Sequence, residues 1–408
     1  LIPRGPSGGN YTYVMIGDPA ASFFACAYNK GIRNYDVELA YEGLRKNAFP
    51  GGIRDYAGYE HDGVASGEKN LSHICKTSLS YEHNIPASGG GIGHYVEHGY
   101  VPEDIDVGSN HQDGASMTLE YAYQDWCLAQ FAKATGKKRD YKLFMKRALN
   151  YQNIWDPSLK LTRPRSKDGK WMEGYGLFTG DDFCEGTSLQ YSYFVPHDIT
   201  GLYQLMGSRE KFTKYLNQLF EKSKHSDFVN HNFVNYSNQP STGLAHMFNH
   251  SGAPWLSQKW VRMVKDQTFG GTTPFSGYPG DEDQGQMGAL GALMSIGLFE
   301  VRGGAATEPV YDITSPIFDK VTIHLDSDYY PGKSFVIETK DNSTKNMYIQ
   351  SARLNDKSWS QCWFTHEEFI KGGKLELDLG PEPNNKWGSA IEDAPPSMTP
   401  KKKSRQPW

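Results

Sequence analysis

The sequence has no excess of basic charge. Its 42 Lys and Arg stand against 47 Asp and Glu, a formal net charge of −5 over 408 residues. That leaves no chain-wide positive field to hold nucleic acid or an anionic membrane surface. Long apolar runs are missing too: stretches such as Gly288–Val301 fall short of the ~20 residues that span a bilayer, and no charged-then-apolar signal peptide opens the chain. Neither nucleic acid nor a membrane span is expected. The five cysteines, Cys26, Cys75, Cys127, Cys184 and Cys362, lie far apart with no C-x-x-C, so neither a zinc ribbon nor a dense disulfide framework fits.

What the chain does have is rings and turn residues. Phe, Tyr and Trp make up 13% of it, beside 43 Gly and 22 Pro, while only 22% is charged. Tyr and Trp present flat apolar faces with polar edges, which suits sugar stacking as well as core packing. The length allows two or three domains at ~100–200 residues each.

Residues 1–10 read as a flexible leader. Helical spacing of apolar residues predicts helices over Asp36–Phe49, Ser116–Thr135, Arg139–Trp155, Gly201–Met206, Glu210–Lys224, Pro254–Asp266 and Gly285–Leu298. Beyond Gly303 the period changes to strict alternation over 319–325, 333–340, 346–355 and 373–380, the mark of half-buried strands. The expected organisation is a helical catalytic domain over 11–302, a small β domain over 303–392 and a flexible tail over 393–408.

Three clusters carry chemistry. His94-Tyr95-Val96-Glu97-His98 fits the H-x-x-E-H pattern of inverted zinc proteases, but Gly89–Gly91, Gly93 and Gly99 argue against the helix that this metal grip needs, and the pattern is set aside. The second cluster is acidic: Asp181-Asp182-Phe183-Cys184-Glu185 and, far along the chain, Asp281-Glu282-Asp283. Asp281-x-Asp283 with Gly285 hints at a calcium loop, yet Ala292 stands where an EF-hand needs its twelfth-position Glu. Acids ahead of a helix commonly serve its positive N-terminal end. Two such clusters on separate loops also match what glycoside hydrolysis requires, a carboxyl that protonates the leaving oxygen and a carboxylate that activates water. Between them lies the polar stretch His231–Gly252, in which Asn238-Gln239-Pro240 sets two amide oxygens side by side, half a shell for Ca²⁺.

Several segments together resemble glycoside hydrolase family 92, the calcium-dependent inverting exo-α-mannosidases. They are Met15–Asp18; Ala27-Tyr28 with Lys30–Arg33; Thr118–Ala122 with Asp125-Trp126; Glu185-Gly186 with Gln190-Tyr191 and Phe194–Asp198; Asn249, Gly252 and Pro254-Trp255; Gly280–Met287; and Ser315-Pro316 with Phe318–Val321. They run in order from about residue 13 to residue 387.

The resemblance implies a mainly α fold: an (α/α)6 barrel, whole or incomplete, followed by a small C-terminal β-sandwich. It implies that Glu185 is the general acid and that Asp281 and Asp283 are the base carboxylates. It further implies substrate contacts at Gln190, His197 and Asp198, and Ca²⁺ held by Asn238, Gln239 and Asp283. Gln239 replaces the family's charged Glu, so weaker calcium binding is expected. Thr187-Ser188-Leu189 and Gly243 also depart from the family pattern. Family members carry an N-terminal β domain with the active site between domains, and that domain is expected to be absent from this chain. The implied activity is removal of terminal α-linked mannose from mannosides, N-glycans or mannan, with inversion, outside the cytoplasm: secreted, periplasmic or on the cell surface. The alternatives are another (α/α)6 carbohydrate-active enzyme, or a catalytically silent glycan-binding fragment.

Overall fold

The computed structural model describes residues 2, 6–7, 10–11, 16–55, 91–104, 113–180, 183–273, 275–283 and 285–401. The chain forms two compact units: residues 1–195 with 305–307, and residues 196–304 with 308–408. Helices before the change of periodicity near 303 and strands after it belong together to the second unit. Periodicity reports local conformation, and it does not say which elements pack together.

The first unit contains α1 (Ala20–Asn29), α2 (Val37–Asn47), α3 (Ile92–His98), α4 (Gly114–Ala134), α5 (Lys138–Arg147) and the short α6 (Ser188–Tyr191). Helix α4 is its centre. Met117, Leu119, Tyr121, Ala122, Trp126, Leu128, Phe131 and Ala132 are all buried, on every face of the helix, as expected of a helix enclosed by others. Charge inside this unit is paired. Asp125 of α4, fully buried, receives Arg54 Nη1 at 2.8 Å and Arg147 Nε at 2.6 Å, and Arg54 Nε also lies 3.4 Å from Asp18 Oδ2. Burial pushes the Asp18 carboxyl upward, with Arg54 opposing.

Helix α3 corrects an expectation. His94–His98 is helical after all, because the flanking Gly91 (φ 61°) and Gly99 (φ 79°) are left-handed caps that delimit the helix. The rings of His94 and His98 stack at 5.9 Å. Among the described residues no group of three or more His, Cys, Asp or Glu is placed to hold a metal ion.

The second unit is mixed. Helices α7 (Ile199–Leu205), α8 (Arg209–Ser223), α9 (Pro254–Thr268) and α10 (Gln286–Ile296), with 3-10 turns at Gln239–Ser241 and Leu244–Ser251, share it with two sheets. The larger sheet joins β1 (Lys320–His324), β2 (Ser334–Lys340), β3 (Tyr348–Leu354) and β4 (Gly373–Gly380) with Lys357–Ser358 at one edge; β4 sits between β3, antiparallel, and β2, parallel. The smaller sheet has Val310–Ile313 between Leu298–Phe299 and Trp363–Thr365. Alternate residues Phe335 and Ile337, and Leu375, Leu377 and Leu379, enter the core as the strand period requires. The expected mainly α chain is thus a mixture of helix and sheet.

Residues 393–401, expected as part of a loose tail, are tied down. Thr399 N and Oγ1 donate to Asp198 at 2.8 and 2.7 Å, Ser397 Oγ donates to it at 2.9 Å, and Met398 N donates to the His197 carbonyl at 3.0 Å. Residues 402–408 lie outside the described residues.

Candidate active site

Glu185 lies in the first unit, on the loop that enters α6. Its neighbours Phe183 and Cys184 are buried, and they fasten one side: Cys184 N donates to Ser116 Oγ at 3.1 Å, and the Tyr191 hydroxyl donates to the Cys184 carbonyl at 2.6 Å. The other side is a capping box, in which Thr187 Oγ1 accepts from Gln190 N and Gln190 Oε1 accepts from Thr187 N at 3.0 Å. Ser188 N and Leu189 N donate to the carbonyls of Thr179 and Leu177. Between these anchors Glu185 is solvent-exposed with φ 51°, the left-handed region that a glutamate rarely adopts. Asp181 and Asp182 lie outside the described residues.

Asp281 and Asp283 lie in the second unit, on the loop into α10. Asp283 also has left-handed backbone, φ 55°. The acid between them has another task. Glu282 Oε2 accepts from Gly285 N, and its Oε1 accepts from Gly288 N at 3.5 Å, so Glu282 caps the free amides of the helix start. The helix-dipole reading of the acidic triplet therefore holds for its middle member. Asp281 is exposed and Asp283 is half-buried.

The Asn238-Gln239-Pro240 turn meets this loop. Gln239 Nε2 donates to Asp283 Oδ2 at 2.5 Å, while Asn238 caps the Gln239–Ser241 turn by accepting from Gln239 N at 2.8 Å. Gly280, φ 69°, has no room for a side chain, since a Cβ there would lie 2.3 Å from the Ser237 carbonyl oxygen. Carboxylate and amide groups at one place are hard oxygen donors, the chemistry that suits Ca²⁺. With Asp283 as the charged member of this set, amide, solvent and sugar oxygens would have to complete the shell.

Gln190, His197 and Asp198 are all buried. Gln190 belongs to the capping box. Asp198 caps α7 through Gly201 N at 3.1 Å, and both of its oxygens accept from Ser397 or Thr399, so the segment 397–399 would have to leave before a sugar reached it. The later part of the polar stretch, residues 244–251, turns inward. Asn249 Nδ2 donates to the Ile313 carbonyl at 3.1 Å, and His246, stacked on Phe299 at 3.9 Å, is pushed down to about 3 by burial, with Asp312 opposing. A cavity of 560 Å³ in the first unit, lined by Phe24, Tyr35 and Leu39 among others, includes none of the expected site residues.

What sequence reasoning missed is the shared left-handed backbone of Glu185 and Asp283. No motif encodes it, although Gly186 and Gly285 hint at tight local geometry.

The chain matches the catalytic-domain model of glycosyl hydrolase family 92 over residues 1–381. It is 30% identical, over 95% of its length, to an uncharacterized secreted glycosidase of Arthroderma benhamiae, covering 48% of that protein. It resembles a family GH92 alpha-mannosidase of Bacteroides thetaiotaomicron with a TM-score of 0.78 and 30% identity, covering 98% of this chain and 47% of that one. A family GH92 inverting mannosidase of Bacteroides thetaiotaomicron VPI-5482 gives a TM-score of 0.80 at 28% identity, with 98% and 50% covered. The chain spans about half the length of each of these relatives.

Proposed function

Because the chain belongs to glycosyl hydrolase family 92, we propose that it takes part in hydrolysing terminal α-linked mannose from glycans with inversion at the anomeric carbon. The observation that carries this reading is the state of the three expected carboxylates. Glu185, Asp281 and Asp283 are all retained, Glu185 and Asp281 are exposed, and Glu185 and Asp283 sit on left-handed backbone. Such strain, about 1–3 kcal/mol per residue, gathers at functional sites. Lys160, Asp227, Phe228, Asp341, Asn355 and Asp356 share that backbone region, so it is the presence of all three carboxylates that weighs against a silent glycan-binding fragment. The mannosidase neighbours do not favour a different (α/α)6 enzyme.

In this mechanism Glu185 gives its proton to the glycosidic oxygen as the bond breaks. Asp281 or Asp283 takes a proton from the water that attacks the opposite face. Asn238, Gln239 and Asp283 would hold Ca²⁺, which when bound supplies positive charge that fixes sugar hydroxyls. An (α/α)6 barrel with a C-terminal β-sandwich is the architecture that accompanies this function, and secretion or display outside the cytoplasm is its setting.

The test is hydrolysis of a panel of α-linked mannobioses and aryl α-mannosides, with the first-formed anomer read by NMR. Glu185→Gln is expected to suppress mannobiose hydrolysis far more than aryl mannoside hydrolysis, because a good leaving group needs less protonation. Equal losses, or α-mannose as first product, would remove the reading. Gln239→Glu is expected to tighten calcium binding in calorimetry. Activity that survives exhaustive chelation would return the Asn238–Pro240 segment to an ordinary turn.

A further inference from the structure

The loop between α9 and the base carboxylates carries Phe275, which is 98% exposed. A fully exposed phenylalanine forgoes the roughly 1.5–3 kcal/mol that burial would return, and the loop around it is not slack. Gly271 is wedged so tightly that a Cβ would lie 1.8 Å from the Ser276 carbonyl oxygen. Ser276 N donates to the Thr273 carbonyl at 3.1 Å, and the Thr273 and Ser276 hydroxyls lie 2.8 Å apart. The far end of the loop is seated as well, with Gly280 against Ser237 and Asp283 joined to Gln239. A tight turn thus holds the Phe275 ring out in solvent, six residues before Asp281.

We propose that Phe275 is a specificity-determining residue that stacks on a sugar of the leaving group. This rests on the exo-mannosidase reading. An exo-acting site encloses one terminal sugar, so every further sugar of the substrate lies on the leaving-group side. A residue standing outside the carboxylate loop can meet only those. Six residues span at most about 20 Å, and the internal turn shortens that reach, so the ring stays within a few sugar lengths of Asp281. Its flat apolar face suits the C–H face of a pyranose.

The 408-residue chain and its Phe275→Ala and Phe275→Trp variants are assayed on α-mannotriose and on α-mannosyl fluoride, whose leaving group has no ring to stack. Phe275→Ala is expected to lower kcat/KM about tenfold more on the triose than on the fluoride, chiefly through KM, and Phe275→Trp to restore the difference. Equal effects on both substrates overturn the platform while the mannosidase reading stands. Undiminished hydrolysis of the triose by Glu185→Gln overturns that reading and the platform together. An unchanged melting temperature is expected for both variants, since the ring buries nothing; a fall of several degrees would show that Phe275 supports the fold and overturn the assignment.

Discussion

The loop of Glu185 and the loop of Asp283 reach the same left-handed backbone by different means. Around Glu185 the neighbours do the holding: Phe183 and Cys184 are buried on one side, and a capping box closes the other. Around Asp283 the holding is done by the acids themselves, Glu282 on the helix amides and Asp283 on Gln239. The difference matches the work proposed for each. The proposed proton donor is thus held through its neighbours, whereas a carboxylate beside a cation can take part in the network that positions it. An acidic cluster is best read one residue at a time, by asking which members the fold already uses.

The largest effect that separates the loops is on turnover. Glu185→Gln and Asp283→Asn are each expected to lower kcat on mannobiose by about 10²–10⁴-fold, but only Asp283→Asn should also weaken Ca²⁺ binding in calorimetry. If both variants, or neither, bind calcium normally, the two loops are not distinct in the way described.

Acid should tell the units apart next. His246 is held neutral down to about 3, below its ordinary 6.5. Between those values the unfolded chain takes up a proton that the folded chain refuses. Stability of the second unit is therefore expected to fall as pH drops below 6.5, by about 1.4 kcal/mol per pH unit. Denaturant unfolding at pH 7 and pH 5 reads this directly, and His246→Phe should flatten the dependence.

Two smaller effects address the loops themselves. Glu282→Ala is expected to cost about 1 kcal/mol through the lost cap and to speed hydrogen exchange at the amides of residues 285–288. Glu185→Gly should raise stability by about 1 kcal/mol by relieving the positive φ while removing activity. Asp283→Gly should gain less, since aspartate tolerates this conformation better and its bond to Gln239 is lost. Melting curves of the two variants give the comparison.

Much of this was legible from residues alone, and the failures have physical causes. The strands at 320–324, 334–340, 348–354 and 373–380 and the helix at 254–268 are close to where periodicity puts them, because each has one apolar face. Helix α1 was not foreseen: Ala-Ala-Ser-Phe-Phe-Ala-Cys-Ala-Tyr-Asn is apolar nearly throughout and has no period to read. Helix α3 was rejected because glycines that cap a helix look, in a string of letters, like glycines that break one. Glu185, Asp281 and Asp283 stand out by motif as the candidate carboxylates. The division of labour inside Asp281-Glu282-Asp283 could not, since which carboxylate turns back to the helix depends on backbone angles. Gln190 and Asp198 stand in matching segments, yet in the fold they hold local structure together.

The salt-bridged interior of the first unit has a bearing on how the chain is born. Asp125 comes off the ribosome inside a helix destined for complete enclosure, but one of its two guanidinium partners, Arg147, is encoded 22 residues later. Without that arginine, Arg54 alone would face two buried carboxylates, Asp18 and Asp125, a penalty of about 3–5 kcal/mol. Closure of the first unit is therefore expected to require both arginines, and Arg147→Ala to unfold the unit at markedly lower denaturant.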